Sequence, residues 1–290
     1  MCEEYAILGV MYQRLAQPDV EAPVLLVAFD GWIDAGAAGT GALAWIAGDR
    51  EPFIRFDADQ LFDYRDQRPM HELREGVIES FEWPAVTMTA VTGGERDLIV
   101  LTGTEPALRW QQFVGSVGTL AVELGVSELI GIGGIPWAVP HTRPVPVLTT
   151  ASELARIPES DERPEGLIRV PAAVSRAIEV ELTSAGIPAM GFWARVPHYV
   201  GVDFHGASLA LVERISRHLG CVIDVAGLAA EADAQRIHLD AITEARPDIA
   251  SMVERLEAVV DQEIPASGED LASEIERFLR NRPADGGFPD

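Results

Sequence analysis

The chain has 290 residues, 48% of them hydrophobic and 23% charged, with a formal net charge of −24 and a pI near 4.5. That is the makeup of a folded globular protein of one large domain, or one domain with a smaller appendage. The acidity argues against nucleic acid and anionic membrane as main partners, because both are bound by basic surface. All 22 basic residues are arginine, so Schiff-base lysines, P-loop lysines and kinase-type lysines are excluded.

Only Cys2 and Cys221 are present, at spacings that form neither a disulfide framework nor a metal site. The six histidines contain no H-x-H and no H-E-x-x-H, and neither a metal nor a cofactor is expected. The first residues, "MCEEYAILGV", lack the layout of a signal peptide, and no apolar run reaches the roughly 20 residues of a membrane span. A cytoplasmic location is expected.

In chain order, the first strong element is "PVLLVAF" at 23–29, an apolar block without polar alternation, as in a strand covered on both faces. It runs into "DGWIDAGAAGTGALAW", a glycine-rich turn and a helix expected from Ala35 to Gly48. Gly31 and Gly36 have the Walker spacing, but Ala37 and Ala38 stand where lysine and a hydroxyl are required. Gly36, Gly39 and Gly41 read G-x-x-G-x-G, the reverse of the dinucleotide fingerprint. Both phosphate templates fail. The expectation is that Asp34 caps the helix while the glycines let it lie close to a sheet, with Asp30 or Trp32 free to line a pocket.

"FDADQLFDYRDQRP" at 56–69 reads as a solvated loop with local salt bridges that also has the reach to enter a cleft. "GVIESFEWPAVTMTAVTGG" at 76–94 alternates around Pro84 and is expected to form an antiparallel pair at one sheet edge. "DLIVLTG" at 97–103 is a second buried strand, followed by a helix expected to start with Thr104 as cap and Pro106 in its first turn. "ELIGIGGI" at 128–135 and "AMGFWARV" at 189–196 are further strands, and 171–186 and 206–220 are helices each closed by glycine. Strands alternating with helices predict a mainly parallel sheet covered on both sides, a three-layer α/β/α sandwich. "GASLA" at 206–210 resembles a nucleophile elbow, but it follows a polar loop, so Ser208 is read as a first-turn helix residue.

Beyond residue 222 the character changes. Residues 223–290 carry 16 acidic and 6 basic side chains, with apolar residues at helical spacing. The division expected is a core over 1–222 and an acidic helical extension over 223–290, broken at Pro247 and near Pro265 and ending in a loose tail.

Ligands of open parallel sheets bind beyond the carboxyl ends of the strands. Asp30, Trp32, Thr104, His141, Arg143 and His198 all fall at such ends and form the candidate ligand-binding set; no catalytic residue is assigned. Two readings stand side by side. In one, an arginine with two histidines and a carboxylate takes a small anionic ligand or does acid–base chemistry. In the other, Arg143 pairs with an acid and the histidines bond to backbone carbonyls, stiffening the loops.

Several stretches in order resemble a known family. "GWIDAGAAG", "FDADQLFDYRDQRP", "LTGTEPALRW", "PHTRP" followed by "TAS", and "GFWARVPHYV" are similar to motifs of the proteasome assembly chaperone two family as found in bacteria. The resemblance spans Val24 to Leu219. It implies an α/β/α sandwich similar to the nucleoside phosphorylase and hydrolase fold, a helical extension, and homo-oligomers, trimers among them. It implies a non-enzymatic role in assembly or regulation, with a protein partner or a small ligand. The competing reading is a phosphorylase- or hydrolase-like enzyme cleaving an N-glycosidic or similar bond, with Arg143 holding an anion and His141, His198 or Asp30 as acid or base. Some such chaperones dock through a hydrophobic–tyrosine–any-residue tail; this chain ends in "GGFPD", and Pro289 in the tyrosine position argues against that mode.

Overall fold

The structure, a computed structural model, describes residues 11–201 and 203–261. The strands are β1 (Tyr12–Arg14), β2 (Val24–Asp30), β3 (Ile54–Phe56), β4 (Met70–Arg74), β5 (Val77–Glu82), β6 (Val86–Val91), β7 (Leu98–Thr104), β8 (Glu128–Trp137), β9 (Val147–Ala151) and β10 (Ala189–Pro197). The helices are α1 (Ala38–Ala47), α2 (Ala58–Leu61), α3 (Trp110–Glu123), α4 (Val174–Ser184), α5 (His205–Leu219), α6 (Ala226–Ala245) and α7 (Pro247–Val260).

Eight strands form one sheet in the order β1-β3-β6-β7-β2-β8-β10-β9. Its centre, β7-β2-β8-β10, is parallel. Both flanks are antiparallel, so the sheet is mixed and parallel only at its core. The alternation along β2 shows why its sequence is uniformly apolar. Leu25, Val27 and Phe29 pack with Phe113, Val117, Ile178 and Leu182 of α3 and α4 on one face. Val24, Leu26 and Ala28 pack with Leu43, Leu211 and Ile215 of α1 and α5 on the other. With both faces buried, period-2 polarity has nothing to report. The three layers are therefore α3/α4, the sheet, and α1/α5.

The glycine turn after β2 does what its packing reading requires. A 3-10 turn, Ala35–Ala37, with Gly36 at φ 62°, precedes α1. The Asp34 carboxylate accepts from the Gly39 N–H at 2.6 Å and the Thr40 N–H at 3.3 Å, and from the Thr40 hydroxyl. A Cβ on Gly39 would stand 2.9 Å from the Ile132 carbonyl oxygen, and one on Gly36 2.9 Å from Phe204 Cβ. The helix thus rests nearly backbone-on-backbone against β8. The helix N–H groups that would hold a phosphate are occupied by Asp34.

Two expectations are corrected. The 76–94 segment is not one hairpin. Its first half, β5, pairs with β4 in a separate two-stranded sheet, while β6 enters the main sheet between β3 and β7. Pro84 lies between them and has no N–H with which to continue a ladder. Helix α3 starts at Trp110, not after Thr104. Thr104 ends β7 and donates to the Ala85 carbonyl, and the Ala107 and Leu108 N–H groups both donate to Leu61 O at 2.9 Å. These competing partners hold the chain off helical geometry until Arg109, at φ 55°.

Past residue 222 the described residues are the two helices α6 and α7. Both lie on the α/β layers. Leu228 is buried in the α1/α5 cluster, Trp45 Nε1 donates to Asp224 O at 2.7 Å, and the Gln235 side chain bridges the His205 N–H and Asp203 O. Pro247 opens α7 at the break expected. The break near Pro265, the tail and Cys2 lie outside the described residues.

Candidate functional site

The six candidate residues fall into two groups. Asp30, Trp32 and Thr104 line a cavity of about 800 Å³ beyond the ends of β2 and β7, together with Gln67, Arg68, Glu82, Trp83, Glu105 and Trp110. The parallel register Asp30↔Thr104 places these two side by side. Asp30 Oδ1 accepts from the Glu105 N–H at 2.8 Å, and Glu105 Oε1 accepts from the Val174 N–H at 2.7 Å. The two carboxylates thereby tie the ends of β2 and β7 to the start of α4. The 56–69 segment enters the cavity through Gln67 and Arg68, and Gln67 Nε2 donates to Glu105 O at 2.9 Å. Three indoles, and three carboxylates against the single guanidinium of Arg68, make this wall aromatic and on balance acidic, which favours a cationic or neutral group over an anion.

His141, Arg143 and His198 lie where the β8–β9 connection and the end of β10 meet α6 and α7. The His141 side chain is fully buried, its backbone N–H donating to Tyr199 Oη at 2.8 Å. Its Nδ1 is 2.7 Å from the same hydroxyl and its Nε2 3.2 Å from Asp240 Oδ1 of α6. Burial holds the His141 pKa below the ordinary histidine value despite Asp240, and pushes Tyr199 up to about 12. The imidazole is therefore neutral at pH 7. A Tyr199 hydroxyl that accepts from the backbone N–H gives its own proton to Nδ1, and Nε2–H then donates to Asp240.

Arg143 makes a two-pronged contact with Asp261, Nε to Oδ1 at 2.9 Å and Nη2 to Oδ2 at 2.8 Å, and a further bond to Glu257 at 3.0 Å. The paired carboxylate of Asp261 raises the arginine pKa further and is itself lowered by it. Thr142 donates to the same Glu257. His198 is exposed, with Nδ1 3.2 Å from the Trp137 carbonyl. This second group fastens α6 and α7 to the sheet's end. Of the two readings of Arg143, the pairing with acids is what the geometry contains.

Several contributors were invisible in the sequence reading. Trp83, Glu105 and Trp110 join the Asp30 cavity, and Asp240, Glu257 and Asp261 meet the 141–143 turn. Sequence separations of 99 to 118 residues link that turn to its acids, a distance no local pattern spans. The one available signal was charge: an arginine-bearing proline turn and a strongly acidic extension attract each other.

Against known proteins, the PAC2 family model matches residues 28–243. A crystal structure of a Mycobacterium tuberculosis protein of unknown function superposes with a TM-score of 0.84 at 31% identity, covering 93% of this chain and 96% of that one. A Mycobacterium tuberculosis proteasome-assembly chaperone homologue matches at 30% identity and TM-score 0.71, over 79% of this chain and 99% of that one. A PAC2 family protein from Streptomyces avermitilis matches at 34% identity and TM-score 0.69, over 80% and 99%. No curated protein matches the sequence.

Proposed function

This chain belongs to the PAC2 family, and from that premise we propose that it is a non-enzymatic binding protein acting in the assembly or regulation of a protein complex. The observation that carries the reading is what the candidate acid, base and cation are bonded to. His141 is buried between Tyr199 and Asp240, and Arg143 is gripped by Glu257 and Asp261. His141 and Arg143, which the competing reading needs for proton transfer and for an anion, are instead used to dock α6 and α7. The phosphorylase- or hydrolase-like alternative needs Arg143 turned towards substrate and is not favoured. The cavity of Asp30, Trp32 and Thr104 is the contact site of this reading, suited to a cationic side chain of a partner. Self-association into a homo-oligomer, a trimer by the family resemblance, belongs to the same proposal, as do a cytoplasmic location and the division into a 1–222 core with a 223–290 extension.

The relative described as a proteasome-assembly chaperone homologue names the partner class to test first. Proteasome α and β subunits from Mycobacterium tuberculosis, mixed with the purified protein, are followed by native mass spectrometry. The expected result is a complex containing this chain and proteasome subunits, or an altered rate of assembly. Neither a complex nor a rate change at tens of micromolar protein would overturn that partner class.

A further inference from the structure

The glycines of β8 and β10 make room for a tryptophan on the sheet. In the parallel register Gly191 lies beside Gly131, and Trp193 beside Gly133. A Cβ on Gly133 would stand 3.0 Å from Trp193 Cζ3, and one on Gly191 2.7 Å from Trp193 Nε1. Absent side chains thus leave the space that the indole occupies over the backbone. The Arg176 guanidinium covers the ring at 4.1 Å from its centroid and is itself paired with Glu179 at 2.5 Å. Trp193 becomes the floor of a cavity of about 500 Å³, spanned by the segment that joins β9 to α4. That volume is in the range of small-molecule sites.

The covering segment is fixed in place by the protein itself. Arg156 bonds to Glu128, Arg195 to Glu162 and Arg214 to Asp161, and the Thr149 N–H donates to Glu162 O at 2.8 Å. The walls are apolar, Ile33, Leu148, Ile157 and Ile168 among them, and no acid lines the cavity among the described residues. The polar groups that face it are donors. Thr150 Oγ1 accepts from Trp193 Nε1 at 2.9 Å and from the two Arg176 Nη atoms at 3.1 and 3.2 Å. With its lone pairs taken, the hydroxyl has a proton to give, and no acceptor for it stands among the described residues. Arg176 is answered by Glu179, and Asp161 and Glu162 are each held by an arginine. Arg163 differs. It lines the cavity from its exposed side, and among the described residues it bonds to nothing.

We propose that this cavity binds a small apolar monocarboxylate, its body among the apolar walls and its carboxylate at Arg163. One unanswered guanidinium matches one negative charge, and a second charge on the ligand would be set against apolar walls without a partner. An ammonium would meet a guanidinium and no acid. The overall charge of −24 works against any anion, so a preference for carboxylate has to come from the local arginine. This site is opposite in sign to the acidic Asp30 cavity, although Trp32 borders both. It goes beyond the partner-binding reading above and stands or falls separately from it, since proteasome subunits play no part in its test.

Titration calorimetry on the full-length protein tests it with three probes that share one alkyl chain: decanoate, decanol and decyltrimethylammonium. Decanoate is expected to bind about tenfold or more tighter than decanol, the size of one charge-assisted contact, and the ammonium weakest of the three. Arg163→Gln should bring decanoate down to the affinity of decanol while leaving decanol binding and the melting temperature unchanged, because Arg163 bonds to nothing in the fold. Ile168→Glu, which sets an acid in the wall, should weaken decanoate more than decanol and reverse the order of decanoate and the ammonium. No heat from decanoate at millimolar concentration would overturn the proposal. So would decanol or the ammonium binding as tightly as decanoate, or a carboxylate preference that survives Arg163→Gln.

Discussion

Gly134→Ala tests the feature on which the placement of the site depends, the close approach of the post-β2 turn to β8. Gly134 lies in the buried strand β8, and its N–H donates to Ile33 O at 2.8 Å. A Cβ there would overlap the Ala35 carbonyl oxygen, approach Ala35 C to 3.2 Å and Ala38 Cβ to 3.0 Å. Two of these neighbours are main chain and cannot rotate away, so the turn must lift from the strand. Overpacking of this kind costs about 1–3 kcal/mol, and loss of the Gly134–Ile33 hydrogen bond adds about 1 kcal/mol. The expected destabilisation is about 2–4 kcal/mol, read as a lower urea midpoint at unchanged slope. Gly115→Ala is the internal control. Gly115 lies inside α3 with nothing within 4 Å of its would-be Cβ, so alanine there should stabilise by about 0.5–1 kcal/mol through helix propensity. If both variants shift the midpoint alike, close backbone approach is not what the β8 glycines provide, and the reasoning fails.

Other expectations follow from the same geometry. Leu228→Ala should cost about 2–4 kcal/mol in urea unfolding, because Leu228 is 3% exposed within the α1/α5 cluster; a change below about 0.5 kcal/mol would mean that α6 does not unfold with the core. Arg143→Ala should speed hydrogen exchange across Pro247–Val260 while leaving β2 and β8 protected; unchanged protection of α7 would show that Glu257 and Asp261 do not hold it. Burial raises the Asp34 pKa from 3.8 to about 6, so its protonated form is favoured by folding. Its contribution is full below the unfolded value and is lost as pH rises through the folded one. Wild type should therefore improve relative to Asp34→Asn by up to about 3 kcal/mol between pH 7 and pH 4, in paired urea titrations. A difference that stays flat over this range would show that the Asp34 carboxylate is not destabilised by burial.

The order of elements, the layered class and the family were written in local sequence, because each rests on interactions within one strand, turn or helix. Unbroken apolar runs such as "VLLVAF" mean strands covered twice, and Gly186 and Gly220 at positive φ end α4 and α5 where local geometry demands. Asp34 as a cap was legible for the same reason, its partners lying five and six residues away. What tertiary structure alone decided is partnership across the chain. Whether residues 105–109 coil into α3 depended on Leu61 and Asp30 competing for their N–H groups. Whether β5 joined β4 or β6 was decided by β3 and β7, which take both sides of β6. Whether Arg143 faced a ligand or an acid depended on α7, more than 100 residues on. Local pattern records the free energy of near neighbours; the choice among distant partners is made by the packing that brings them together, and the candidate site is composed of such choices.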